Sequence, residues 1–157
     1  MGVAALFGCN PVLDDEVAAL GGEANGVRPG PQHRPGQPCL LCHDGALGDP
    51  NEFSVAGTVF LQPTGTDPVK GALVELHGGD GRVFTLTTNA AGNFFVSPQK
   101  YTPQYPLEVD VQFAGETTTM HSTIGRDGAC ASCHSDPAGP DSPGHVYVRL
   151  GDGNVPP

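Results

Sequence analysis

From residue 53 onward the apolar residues recur at every second position, and this period restricts the chain to sheet more strongly than any other feature. FSVAGTVFLQ places Phe53, Val55, Val59 and Leu61 on one face, and LEVDVQF sets Leu107, Val109, Val111 and Phe113 against Glu108, Asp110 and Gln112. Between them lie ALVELH (72–77), VFTLTT (83–88) and NFFV (93–96); TTTMHSTI (117–124) and HVYVRL (145–150) follow. Turns of the GGDG, NAAGN and AG kind separate these runs. Seven short strands punctuated in this way predict a mainly β protein, a seven-stranded antiparallel sandwich. At 157 residues the chain accommodates one such domain with a modest core and an irregular segment beside it.

The irregular part lies outside the middle of the chain. Eleven of the 16 prolines fall in residues 1–50 and 130–157. Near the start, Asn10 is placed to cap a short helix over 11–20, with Pro11 in its first position, Asp14, Asp15 and Glu16 at its positive end, and Gly21 and Gly22 to stop it. Residues 21–38 have no period and read as an arm. The expected division is 1–9 as a signal remnant, 10–52 as helix and arm, and 53–157 as the sandwich.

Composition removes several functions. A formal charge of −10 with only seven Lys plus Arg repels polyanions, which excludes nucleic acid and anionic membrane surfaces as partners. No run reaches the roughly 20 apolar residues of a transmembrane helix. The opening MGVAALFGCN is apolar and ends in a small residue followed by Cys9, and so resembles the tail of a bacterial lipoprotein signal. That resemblance implies lipidation at Cys9 and an extracytoplasmic location: periplasm, outer membrane or cell surface. A chance apolar N-terminus is the alternative.

The segment from AGTVF through PVKGALVELHGGDGRVFTLTTNAAGNFFV resembles the carboxypeptidase regulatory-like domain, a transthyretin-like sandwich, in its GTV strand, GALVEL strand, DG turn and TTNAAGNF turn-strand. The resemblance covers about a quarter of the chain and implies a fold, not an activity.

Chemistry is concentrated in a pentapeptide written twice: CLLCH, Cys39 to His43, and CASCH, Cys130 to His134. Four of the five cysteines are used in these two copies. C-x-x-C-H is the attachment pattern of c-type haem, in which two thiols form thioethers with the porphyrin vinyl groups and the next residue reaches the iron. Zinc held by two C-x-x-C pairs would need both pairs to converge on one ion. A thioredoxin-like dithiol belongs beside a βαβ unit, which this pattern lacks, and a disulfide within each pair is the plain structural alternative. Repetition with His each time favours two covalently attached haems. The chain thus resembles a di-haem c-type cytochrome, which implies that Cys39, Cys42 and His43 hold one haem and Cys130, Cys133 and His134 the other.

Four histidines remain as distal ligands. His33 and His121 stand first, because each precedes a pentapeptide by a short irregular stretch; His77 and His145 stand second, and Met120 is a thioether alternative whose parity with Ile124 points to the core. If strand directions alternate, the first pentapeptide, the second, and the ends of the strands carrying His77, His121 and His145 gather at one pole. In transthyretin-like sandwiches the first and seventh strands are neighbours, so the two haems are expected to pack close together there. By parity His77 and His145 point away from the core. The expected function is an exported electron carrier with two bis-histidine irons, no catalytic residues, and redox proteins or copies of itself as partners. The alternatives are a di-haem reductase or peroxidase-like enzyme with one open iron, and a lipoprotein binding sandwich without haem.

Overall fold

The computed structural model describes residues 11–23, 26–45 and 50–150. Cys9, with the lipid anchor expected on it, and Asn10, the expected helix cap, lie outside the described residues. The chain is mainly β. Helix α1 (Pro11–Ala19) precedes a one-turn helix α2 (Cys39–His43), and then come β1 (Val55–Phe60), β2 (Leu73–His77), β3 (Val83–Thr87), β4 (Asn93–Val96), β5 (Glu108–Phe113), β6 (Glu116–Thr119) and β7 (Val146–Tyr147). A 3-10 turn, Cys130–Ser132, lies between β6 and β7. The strands form a three-stranded sheet in the order β4-β1-β7 and a four-stranded sheet in the order β3-β2-β5-β6.

The period of two sorts side chains as expected on β2 and β5. Val74 and Leu76 are fully buried while Leu73 is 40 % exposed, and Val109 and Val111 pair across the ladder with Leu76 and Val74. These residues close on Val55, Val59, Phe94, Val96 and Val148 from the other sheet. Each such side chain contributes about 1.5–3 kcal/mol through burial. Strand β1 differs, because all six of its residues are buried. Its inner face carries Val55 and Val59 in the core, and its outer face, with Ala56, Thr58 and Phe60, is covered by the arm.

Three expectations change. The sandwich is antiparallel except for β1 and β7, which run parallel with Val59 opposite Val146 and Phe60 opposite Tyr147. Strands that alternate in direction make the first and seventh point the same way, so joining them as neighbours produces a parallel pair. The sixth strand ends at Thr119 rather than at residue 124: residues 121–123 loop outward, and Ile124 rejoins the sheet through paired bonds with Leu107. His121 therefore lies after the strand and not within it. Phe53, expected on the core face, precedes the strand, and its ring stacks on Phe95 with centroids 4.6 Å apart. Met120 and Ile124 do pack against the core, as parity implied.

Candidate functional site

Both pentapeptides coil into a single helical turn, and both turns lie against β1. CLLCH is helix α2 itself. In CASCH the His134 N–H donates to the Cys130 carbonyl at 2.9 Å, an i to i+4 bond that closes an α-type turn around the 3-10 segment. Residues at i, i+3 and i+4 share one side of such a turn. That spacing would put the two thiols and the imidazole of each copy on one side; in the second copy Cys130 packs against the core while Cys133 is exposed.

The first turn is positioned by a polar network beneath the arm. The Thr58 hydroxyl accepts from the Gly36 N–H at 2.8 Å and donates to Asn93 Oδ1 at 2.7 Å. Asn93 Nδ2 donates to the carbonyls of His33 (2.9 Å) and Pro31 (3.3 Å), and Asn89 Nδ2 also donates to Pro31. Thr58 and Asn93 are each 5 % exposed, so these bonds are shielded from competing water. Beyond the turn, the Phe53 N–H donates to the His43 carbonyl at 2.7 Å and hands the chain to β1.

The second turn is an excursion from the edge of the same sheet. Ala129 pairs in parallel with Ala56, the chain leaves as CASCH, and it returns at Val146 beside Val59. Gly128 enters this ladder so closely that a Cβ would lie 2.1 Å from the Ser54 carbonyl oxygen. Gly57 makes room for the turn, since a Cβ there would lie 2.9 Å from Cys130 Cβ and 2.8 Å from the Phe94 ring. The return loop is knitted by the Ser142 hydroxyl, which accepts from the Ser135 and Gly144 N–H groups and donates to the Ser135 carbonyl at 2.7 Å.

The two pentapeptide histidines are anchored alike. His43 Nδ1 meets the Asn51 carbonyl at 3.1 Å and His134 Nδ1 meets the Gly144 carbonyl at 3.0 Å. A carbonyl only accepts, so Nδ1 is the donor in each of these contacts, the kind of bond that orients a metal-binding imidazole. His33 has the same pattern, with Nδ1 3.0 Å from a Glu23 carboxylate oxygen that also accepts from Arg34. Its ring centroid is 5.9 Å from that of His43, with the planes inclined at 62°.

All four described cysteines are free thiols. Burial pushes the Cys39 thiol up, and it pushes Cys130 up to about 12, with Cys39 adding a smaller upward contribution through its charge. Cys130 is half-buried as a residue, but its sulfur is turned inward against Gly57 and Phe94. Both turns adjoin β1 and so lie on the same sheet. Thiols held protonated make poor redox nucleophiles. Among the described residues the four sulfurs do not converge on a common point, and the one cluster with metal-ligand spacing lies elsewhere.

The other histidines disperse. His145 is 9 % exposed and stacks on Phe60 at 4.2 Å; it points away from the core as parity implied, yet the arm covers it at Gly36. His121 is exposed in the loop after β6. His77 lies on the outer face of the four-stranded sheet beside Asp110, whereas both turns adjoin the other sheet. Neither His121 nor His145 is in ring contact with His134 among the described residues. Thr58, Asn93, Gly57 and Ser142, which position the turns, escaped the sequence reading. Only Gly57 left a signal, a glycine inside a strand pattern that marks a close approach.

No family model, curated protein or solved structure matches the chain.

Proposed function

We propose that the chain is an exported di-haem c-type cytochrome that passes single electrons, with Cys39, Cys42 and His43 holding one haem and Cys130, Cys133 and His134 the other. The observation that supports this reading best is the shared construction of the two turns: each C-x-x-C-H coils into one turn against β1, with the Nδ1 of its histidine tied to a backbone carbonyl. The thiol environment supports it further. A thioether is neutral, so the burial that disfavours a thiolate at Cys39 and Cys130 costs a thioether sulfur little. Dithiol redox chemistry would work against that burial at Cys39 and Cys130. Each haem would supply one-electron chemistry, and the protein supplies attachment, axial nitrogen and partial shielding.

His33 is the favoured distal ligand of the first haem. Two imidazoles on one metal have ring centroids about 6 Å apart, from a metal–nitrogen bond of about 2 Å and about 1 Å from nitrogen to centroid on each side. The 5.9 Å between His33 and His43 agrees with that sum. For the second haem His121 is the favoured ligand: it lies in an exposed loop near the segment that leads to CASCH, whereas His145 is held under the arm. The transthyretin-like resemblance supports the sandwich and adds nothing to the activity.

Intact mass and a pyridine haemochrome spectrum, after expression with haem-maturation machinery and export, test the class directly. Two covalent haems per chain are expected; a chain that emerges with four free thiols overturns the reading. Replacing His33 with Ala is expected to make the first iron bind carbon monoxide when reduced. Carbon monoxide binding at both irons of the unmodified protein would refute bis-histidine ligation.

A further inference from the structure

On the sheet that does not carry the pentapeptides, β2 and β5 bring three metal-ligating side chains together. Glu75 and His77 are two residues apart on β2 and so share its outer face, and Asp110 lies directly opposite Glu75 across the ladder. His77 Nε2 is 3.2 Å from Asp110 Oδ2 and 3.8 Å from Glu75 Oε2, and all three donor atoms lie within 4.8 Å of one another. Donor atoms around a tetrahedral ion with bonds of about 2.0–2.1 Å are separated by about 3.3 Å. The observed spacings need only a small side-chain adjustment to meet that geometry.

A second, independent observation points to a ligand. The His77 side chain is 34 % exposed, yet its Nε2 is shielded from solvent and, 3.2 Å from Asp110 Oδ2, lacks the alignment of a hydrogen bond. The nitrogen has lost water and is not aligned to donate to either oxygen, a state that costs free energy unless something else satisfies it. A cation shared by a lone pair and two carboxylates would satisfy all three groups. It would also offset the like charges of Glu75 and Asp110, placed directly across the ladder, and of Glu108, the register partner of His77. Gln112 Nε2 donates to Glu75 Oε2 at 2.9 Å and holds that carboxylate in place, as outer hydrogen bonds do at metal sites.

We propose that Glu75, His77 and Asp110 bind a divalent cation, with Zn2+ as the ion that this nitrogen and oxygen donor set fits. One imidazole and two carboxylates, with no sulfur, suit a borderline ion that keeps a position for water. Rigid paired strands supply all three ligands, so binding needs no backbone movement. The site shares no residue with the pentapeptides and stands independently of the haem reading.

The test is calorimetric titration of the full chain with ZnCl2, alongside His77→Gln, Asp110→Asn and Gln112→Ala. One zinc per chain is expected at this site, with affinity reduced about tenfold or more by each of the three substitutions. Zinc is expected to raise the melting temperature of the unmodified protein and to leave that of His77→Gln where it was. Zinc bound by the cysteines would survive all three substitutions, and that result, or an absence of binding at millimolar zinc, overturns the proposal. Should a variant fail to fold, the His77 ring resonances of the unmodified protein decide the matter: a zinc-dependent shift supports the site, and unchanged resonances refute it.

Discussion

Replacing Asn93 with Ala should release the arm from the three-stranded sheet. Asn93 accepts one hydrogen bond from Thr58 and donates two, to the His33 and Pro31 carbonyls, from a position only 5 % exposed. A net contribution of about 1 kcal/mol for each bond gives a loss of about 3 kcal/mol, with partners left unpaired pushing it higher. Domains of this kind are stable by about 5–15 kcal/mol, so the loss is a large share. With a urea slope of about 1–3 kcal/mol per molar, the unfolding midpoint should fall by about 1–3 M. Thr58→Val keeps the shape and removes the bonds to Gly36 and Asn93, and should cost about 2 kcal/mol. The two substitutions share the Thr58–Asn93 bond, so the double variant should lose about 1 kcal/mol less than the sum. Protease cleavage within residues 26–38 should accelerate in both variants before the sheets unfold. Full additivity, or an Asn93→Ala loss below about 1 kcal/mol with an unchanged cleavage rate, would refute the claim that this network holds the first turn to the sheet.

Gly57→Ala inserts a methyl group within 2.9 Å of Cys130 and Phe94, so it should cost about 1–3 kcal/mol in chemical denaturation and displace the second turn. Ser142→Ala removes a hydroxyl engaged in three bonds and should loosen the 135–144 loop, read as faster amide exchange at Ser135 and Gly144. The chain with its cysteines as free thiols should lose stability in alkali. Cys130 has a folded pKa of about 12 against an ordinary thiol value near 8.5–9, so the fold favours the protonated form. Its contribution is complete below about pH 8.5 and declines between there and about 12. Cys130→Ala should flatten that decline in a pH series of urea melts. If a haem thioether forms at Cys130 as proposed, the sulfur no longer titrates and this contribution should be absent.

Much of the β layout follows from local chemistry. Alternation along ALVELH and LEVDVQF is a property of residues two apart, so it named the inward valines and leucines and the outward Glu75, His77 and Asp110 without knowledge of any partner strand. The i, i+3, i+4 spacing of CLLCH and CASCH is likewise compatible with one helical turn in each copy, and each copy forms one. Strand ends were less legible. His121 belongs to a period-two run, yet the ladder with β5 breaks at Thr119 and resumes at Ile124, and only the pairing partner decides where that happens.

What the sequence could not determine is which distant segments meet. Nothing local to Thr58 or Asn93 says that an arm more than fifty residues from Asn93 will lie across them, or that His33 will stop 5.9 Å from His43. Nor does a helix-like spacing reveal that the Nδ1 of each pentapeptide histidine will find a backbone carbonyl eight and ten residues onward. Burial of the Cys130 sulfur depends on an absent side chain at Gly57, on another strand. The cluster on the second sheet shows the same division. Strand parity put Glu75 and His77 on one face, but only the β2–β5 register set Asp110 opposite Glu75 and left a buried ring nitrogen among carboxylates. Local patterns fix which way side chains point, because they depend on backbone geometry alone; the long-range contacts that give those side chains their chemistry arise only when the whole chain has packed.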